Sequence, residues 1–432
     1  MRRWKTFYPE NKNNLRIQLL NFASQFETFS FLDSCNNKVY GNPTFDFLLA
    51  AGTHDHMQLN VGNAFHELKE FIDQKKDWCF GYFGYDLKNE TEKLVSQNFD
   101  GLLFPDMYFF IPEVLIIVKE HEISIGSYEP AEDTYEKINN CPTTFGKKPL
   151  SNLALQARMQ KKDYIETVNK IRRHIIDGDI YELNFCQEFY AREIEMDTVV
   201  VFEKLCEKSK APFSVLMKMG DKYLISSSPE RFLKKEQNKL FSQPMKGTIG
   251  RNENKIGDEY LRNLLAENEK EKAENVMIVD LVRNDLAKSA KPGSIKVDEL
   301  FGIYSFEHVH QMVSTVSAEL KEGIHPVDAI KNGFPMGSMT GAPKVMAMQL
   351  IEKYEDTKRG LFSGAVGYID ADMNFDFNVV IRSMLYNATQ KYLSIQVGSA
   401  IVYDSDPESE YEECIMKLKG LLDVLQKMET KL

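Results

Sequence analysis

The sequence predicts an α+β fold built on mainly antiparallel sheets. Apolar runs of strand length recur along the chain, segments of helical period lie between them, and hairpin-like turns are frequent. There is no internal repeat and no low-complexity tract. With 432 residues, 43% of them hydrophobic, the chain can bury a large core.

Residues 1–125 form an N-terminal region of short strands, as in "WCFGYFGYDL" (78–87) and "MYFFIPEVLIIV" (107–118), with helical stretches between. Residues 126–160 turn polar and irregular, which predicts a linker. A third region, 161–432, opens on a helix with Tyr164, Ile165, Val168, Ile171 and Ile175 at helical spacing and Gly178 at its end. Strands follow in "IYELNFCQEFYA", "FSVLMKM", "KYLISSS" and "RFLKK", then a hairpin-like run enters "PMKGT". One long charged helix is predicted over 257–280, leading into "MIVDLVRNDLAK", with further helices over 326–332, 343–355 and 407–427. "GAVGYID", "FNVVIRSMLY" and "YLSIQVGSAIVY" complete the strands.

A net charge of −11, spread along the chain, argues against a nucleic-acid-binding surface. The six cysteines fall at no metal-like or disulfide-like spacing, so reduced thiols are expected. The N-terminus has no sustained apolar core, and the longest apolar runs, such as "VLIIV" (114–118), are too short to span a membrane. A cytoplasmic protein is the expectation.

Several residues could carry chemistry. Glu271 with Glu274, and Glu410 with Glu413, are spaced by three, which puts each pair on one helical face. Two such faces brought together would suit a hard cation such as Mg²⁺; apart, they are solvated acidic surfaces. Lys246 is either a nucleophilic amine or a lysine beside a β-turn. Glu230, after Pro229, is either a general acid/base or a polar turn residue. Arg382 interrupts an apolar run, so it is paired internally or aimed at a carboxylate. "GSMTGAPK" (337–344) could hold an anion at a helix N-terminus or simply cap that helix. Gly398 and Ser399 mark either close approach of a ligand to backbone or a β-bulge.

In order, the segments "SSSPERF", "PMKGT", "KEKAENVMIVDLVRNDL", "HVHQMVSTV", "FPMGSMTGAPKVMAMQLI", "GAVGYID", "IRSM" and "VGSAIVYDSDPESEYEECIMK" resemble the chorismate-utilising enzymes of the anthranilate synthase component I type. The resemblance is dense over about 160–425 and looser before it. It implies two antiparallel sheets packed as a sandwich, flanked by helices, with the active site in a cleft. It implies Mg²⁺ on Glu274 and Glu413, with Glu271 and Glu410 nearby, and Glu230 as general acid/base. Substrate carboxylates would meet Arg382 and the backbone of Gly398, Ser399 and Ala400, while Gly247 and Thr248 would help position the ring. Ser34, in "FLDSCN", matches a serine that binds tryptophan in relatives.

Lys246 matches the branch that aminates chorismate to 4-amino-4-deoxychorismate on the route to 4-aminobenzoate and folate. Anthranilate synthases carry alanine in its place. The resemblance then makes the Lys246 amine a nucleophile at C2, with ammonia supplied by a separate glutaminase subunit. Alternatives are an anthranilate synthase component I and a non-catalytic regulatory homologue. Two positions depart from pattern. Gln311 stands where anthranilate synthases have histidine, and Glu182 where most aminating relatives have glutamine.

Overall fold

A computed structural model describes residues 2–9, 14–37, 44–120, 122–145 and 153–429, with side chains to residue 426. Among these residues the strands form two large sheets, and every strand pair is antiparallel. The first sheet has twelve strands. From one edge it runs through Arg3–Phe7, Glu122–Ser127, Val114–Lys119, Phe47–Ala51, Thr28–Asp33 and Phe213–Met219. It continues through Lys222–Ser228, Ser383–Asn387, Tyr392–Ile401, Glu182–Ala191 and Gly341–Ala342, with Gln156–Ala157 added beside Glu182–Ala191. The second sheet has ten strands. It begins with Met245–Gly250, Val309–Glu319, Lys239–Gln243, Arg231–Glu236 and Phe375–Val379. Ala365–Ile369, Cys79–Phe83, Met107–Ile111 and Asp55–Leu59 complete the path, and Lys296–Ser305 pairs with Val309–Glu319.

Period-2 side-chain alternation divides the core. In Phe213–Met219, Val215, Met217 and Met219 join a cluster shared with Phe80, Phe109 and Phe377 of the second sheet. Leu216 of the same strand joins a cluster on the opposite face. That second cluster takes in Tyr164, Val168 and Ile171 of helix Lys161–Ile176, Phe202 and Leu205 of Thr198–Ser209, and Leu418 and Leu421 of Pro407–Glu429. The result is a sandwich with helices outside.

The chain changes sheet at three points, two of them inside apolar runs read as single strands, "MYFFIPEVLIIV" and "FNVVIRSMLY". "MYFFIPEVLIIV" breaks at Pro112 and Glu113, with Met107–Ile111 in the second sheet and Val114–Lys119 in the first. The segment from "KYLISSS" to "RFLKK" changes sheet at Pro229 and Glu230, and "FNVVIRSMLY" does so at Val380–Arg382. Proline cannot donate to a ladder, which explains two of the breaks. At the third, Arg382 takes a φ of +51°, which ends the extended run.

The long helix expected over 257–280 is two helices, Lys255–Glu267 and Glu269–Ala287. Asn268 leaves helical geometry, and its side chain accepts the backbone N–H groups of Lys270 and Glu271. It caps the second helix as it ends the first. The expected linker also needs correction. Within 126–160, helix Ala131–Asn139 packs Ala131, Thr134 and Ile138 inward, and Gln156–Ala157 joins the first sheet. An amphipathic helix hides in that polar composition, while residues 146–152 lie outside the described set.

Candidate active site

Lys246 leaves its strand at a β-bulge. Met245 pairs with Val313 and Thr248 with Gln311, so one extra residue is inserted between them. Gly247 takes a φ of +89°, and a Cβ there would lie 3.0 Å from Glu271 Oε2. A glycine is therefore needed beside the lysine on both counts. The Lys246 side chain is 11% exposed, and its Nζ donates to Glu182 Oε1 at 2.5 Å. Burial works against the ammonium, but Glu182, Glu274 and Glu230 outweigh it and hold the amine above its ordinary value. The resting lysine carries its proton.

Glu230 sits on the Ser228–Arg231 crossover and is 5% exposed. Its carboxyl is pushed up to about 7 by burial, with Ser338, Lys246 and the Met245 backbone pulling the other way. Near neutrality it is available as an acid. The neighbouring crossover carries Arg382, half-buried, whose guanidinium is held below its usual value by burial, with Glu413 opposing. Two backbone bonds tie the crossovers together: Val379 N–H donates to Glu230 O at 3.0 Å, and Ser227 N–H donates to Arg382 O at 3.1 Å.

Helix Glu269–Ala287 presents Glu271 and Glu274 to this group. Glu274 is pushed up to about 7 by burial; Lys246 pulls it down, and Glu182 and Glu271 push it up. Glu271 is raised by burial, with Glu413 and Glu410 of helix Pro407–Glu429 adding to the rise. The two acidic faces are therefore near neighbours. Desolvation opposes the charge on Glu413, but Lys417, Lys246 and Arg382 prevail and hold it below its ordinary value. Lys417 reaches Glu413 at 2.6 Å and the Gly398 carbonyl at 2.6 Å. Among the described residues, no three of these four carboxylates bring oxygens within 4.8 Å of one another.

Thr248 is exposed and accepts from Gln311 Nε2 at 3.3 Å. His310 is turned elsewhere, bonded to Asp258 at 3.0 Å and Ser305 at 2.8 Å. Gly398 and Ala400 lie opposite Cys186 and Asn184, and a Cβ at 398 would stand 2.5 Å from the Phe185 carbonyl. The Ser399 hydroxyl is spent on Tyr164 at 3.2 Å, and Ser399 itself pairs with Phe185 in the first sheet. In the 337–344 segment, Lys344 is bound to Asp285 at 2.5 Å and to the Pro335 carbonyl at 2.8 Å. Ser34 is buried, and both its N–H and its hydroxyl donate to the Asp46 carbonyl, so its bonds do not reach the Lys246 group.

The structure thus gathers Lys246, Glu230, Glu271, Glu274, Glu413 and Arg382, and adds two residues that sequence reasoning did not place. Glu182 is the ion-pair partner of Lys246, and Lys417 ties Glu413 to the Gly398 strand. The Glu413–Lys417 spacing of four was a readable signal. Nothing in the sequence pairs 182 with 246.

The family described as chorismate binding enzyme matches residues 28–423. The chain belongs to that family. Among the relatives of chorismate-binding enzymes it resembles, aminodeoxychorismate synthase component 1 of Salmonella typhimurium is 36% identical over 352 residues. That alignment covers 81% of this chain and 76% of the relative. The Escherichia coli protein of the same name is 33% identical, covering 81% and 77%. Anthranilate synthase component 1 of Aquifex aeolicus is 32% identical, covering 80% and 74%. Two solved structures share the fold. Anthranilate synthase component I from Streptococcus pneumoniae superimposes with a TM-score of 0.77 at 24% identity, covering 89% of this chain and 94% of its own. The menaquinone-specific isochorismate synthase from Escherichia coli gives 0.78 at 15%, covering 98% and 95%. No helix among the described residues is long and apolar enough to cross a membrane.

Proposed function

We propose that this chain is the synthase subunit that aminates chorismate to 4-amino-4-deoxychorismate, using ammonia from a separate glutaminase subunit. The observation that carries this reading is the buried Lys246 amine among carboxylates, beside a Glu230 that keeps its proton near neutrality. Relatives named aminodeoxychorismate synthase component 1 support it, and "component 1" in those names speaks for a second subunit.

In this reaction hydroxide is a poor leaving group, so the 4-hydroxyl needs a proton as it departs, and Glu230 supplies it. The neutral Lys246 amine attacks C2 in the same step. Ammonia then bonds to C4 and the C2–lysine bond breaks, returning the amine. The new ammonium at C4 gives its extra proton to Glu230. Chorismate and ammonia thus yield the amino compound and water. Arg382 and the backbone at Gly398–Ala400 hold substrate carboxylates, and Thr248 borders the ring.

Mg²⁺ belongs to the same proposal, with Glu274 and Glu413 as ligands and Glu271 and Glu410 close by. An all-carboxylate donor set suits a hard divalent cation, and Glu271 and Glu274, raised first by burial and further by neighbouring carboxylates, are groups whose charge a cation would favour. Bound there, it would supply positive charge that offsets repulsion between a substrate carboxylate and these glutamates. Tryptophan beside Ser34 is a separate expectation, tested by calorimetry on the protein and on Ser34→Ala.

The deciding experiment incubates the protein with chorismate, Mg²⁺ and an ammonium salt. The expected product is converted to 4-aminobenzoate only after an aminodeoxychorismate lyase is added. Direct appearance of anthranilate fluorescence overturns the reading in favour of anthranilate synthase.

A further inference from the structure

The Lys246–Glu182 pair has a chemical consequence for the site. A lysine attacks only as the free amine, yet the Nζ of this one is engaged in an ion pair with a buried carboxylate. Its proton must go to a group already within hydrogen-bond distance, because a buried cleft offers little bulk water to carry it. Glu182 Oε1, at 2.5 Å, is the hydrogen-bond acceptor of Nζ among the described residues. The Glu182 side chain is 2% exposed, and Oε2 is buried without any hydrogen-bond partner. Nothing else in the described structure anchors this carboxylate from its free side, so the bond to Lys246 is its one polar attachment.

Glu230 cannot take the same proton, since it must arrive at the reaction with its own. Glu274, Glu271 and Glu413 act on Lys246 only through space, from the two helices that carry them. Resting on the amination reading above, we infer that Glu182 is the positioning residue for Lys246, aiming its amine and receiving its proton as C2 is attacked. The proton moves from Nζ to a Glu182 oxygen as the N–C2 bond forms, and it returns to Nζ when ammonia displaces the lysine. Glu182 therefore ends as it began, and the net reaction is unchanged. In this chain the glutamate at 182 is a working part of the nucleophile, and a neutral glutamine there would do half its task.

The test reads the lysine directly, without chorismate. The rate of Lys246 acetylation by acetic anhydride is followed by peptide mass spectrometry across pH, in the native chain and in Glu182→Gln. Glu230, Glu271, Glu274 and Glu413 are present in both proteins, so the difference isolates Glu182. The midpoint should fall by about one pH unit or more in Glu182→Gln, giving at least about tenfold faster labelling at a fixed pH below both midpoints. In Glu182→Asp, which keeps the charge one methylene farther away, the midpoint should be intermediate. With ammonia and chorismate, Glu182→Gln should lower kcat by on the order of 100-fold while KM for chorismate stays within about threefold. An unchanged labelling midpoint, or an unchanged kcat with a shifted midpoint, overturns the inference and leaves the amination reading standing. A product other than the 4-amino compound strikes that reading instead and not the ion pair.

Discussion

The role proposed for Glu230 depends on where the chain bends. Had it lain on a strand facing solvent it would titrate as an ordinary carboxyl; at a buried crossover it holds its proton up to about 7. In the proposed reaction the acid form is the useful one, so amination should fall as pH rises through about 7, and Glu230→Gln should lose on the order of 100-fold or more in kcat together with that limb. The same shift acts on stability. The unfolded carboxyl ionises near 4.5 and the folded one near 7, so between those values the folded state holds the extra proton. Stability should drop as pH rises across that window, and the drop should shrink in Glu230→Gln, read from denaturant midpoints at pH 5 and pH 8. Gly247 is a second case. Gly247→Ala forces a side chain onto a positive φ and against Glu271, at about 1–2 kcal/mol, visible as a lower thermal midpoint. Both residues stand inside short motifs that the sequence singles out. Glu182 was noticed there only as a departure, because its partner lies 64 positions away and a single sequence does not report long-range pairing.

At the scale of elements, Asn268 matters most. The stretch from Lys255 to Ala287 keeps helical composition throughout, so sequence reasoning joined it into one helix, and only the cap geometry reveals the break. The break redirects the second helix and so decides where Glu271 and Glu274 point. Asn268→Ala should cost about 1 kcal/mol of stability. If the proposed Mg²⁺ site is correct, it should also weaken Mg²⁺ binding to the substrate-free protein, measured by calorimetry, since Glu271 N–H loses its acceptor. Unchanged Mg²⁺ affinity would separate that cap from the acidic cluster. The strands teach a related lesson. Their existence was readable from apolar runs, but their division between sheets was not. Pro112 and Pro229 marked two changes of sheet, whereas nothing in "FNVVIRSMLY" marks the third except the charge of Arg382.

For the whole molecule, the expected partition into an N-terminal region, a linker and a catalytic region meets two shared sheets. Thr28–Asp33 pairs with Phe213–Met219, and Cys79–Phe83 pairs with Ala365–Ile369, so each sheet contains strands from both ends of the chain. A fragment beginning at residue 161 would leave Phe213–Met219 and Ala365–Ile369 with open edges. Such a fragment should fail to give a cooperative thermal transition by circular dichroism, while the full chain should unfold in one step. Fold class was legible because the strand and helix periods are strong; the sharing of sheets was not, because it depends on contacts distant in sequence. The paired crossovers also make a prediction in the language of isotope exchange. Val379 N–H is locked to the Glu230 carbonyl and Ser227 N–H to the Arg382 carbonyl, so Glu230 and Arg382 ride on one stitched unit. Deuterium should enter both amides slowly and at matching rates, and chorismate should slow both together, even though neither amide belongs to a residue assigned to the substrate.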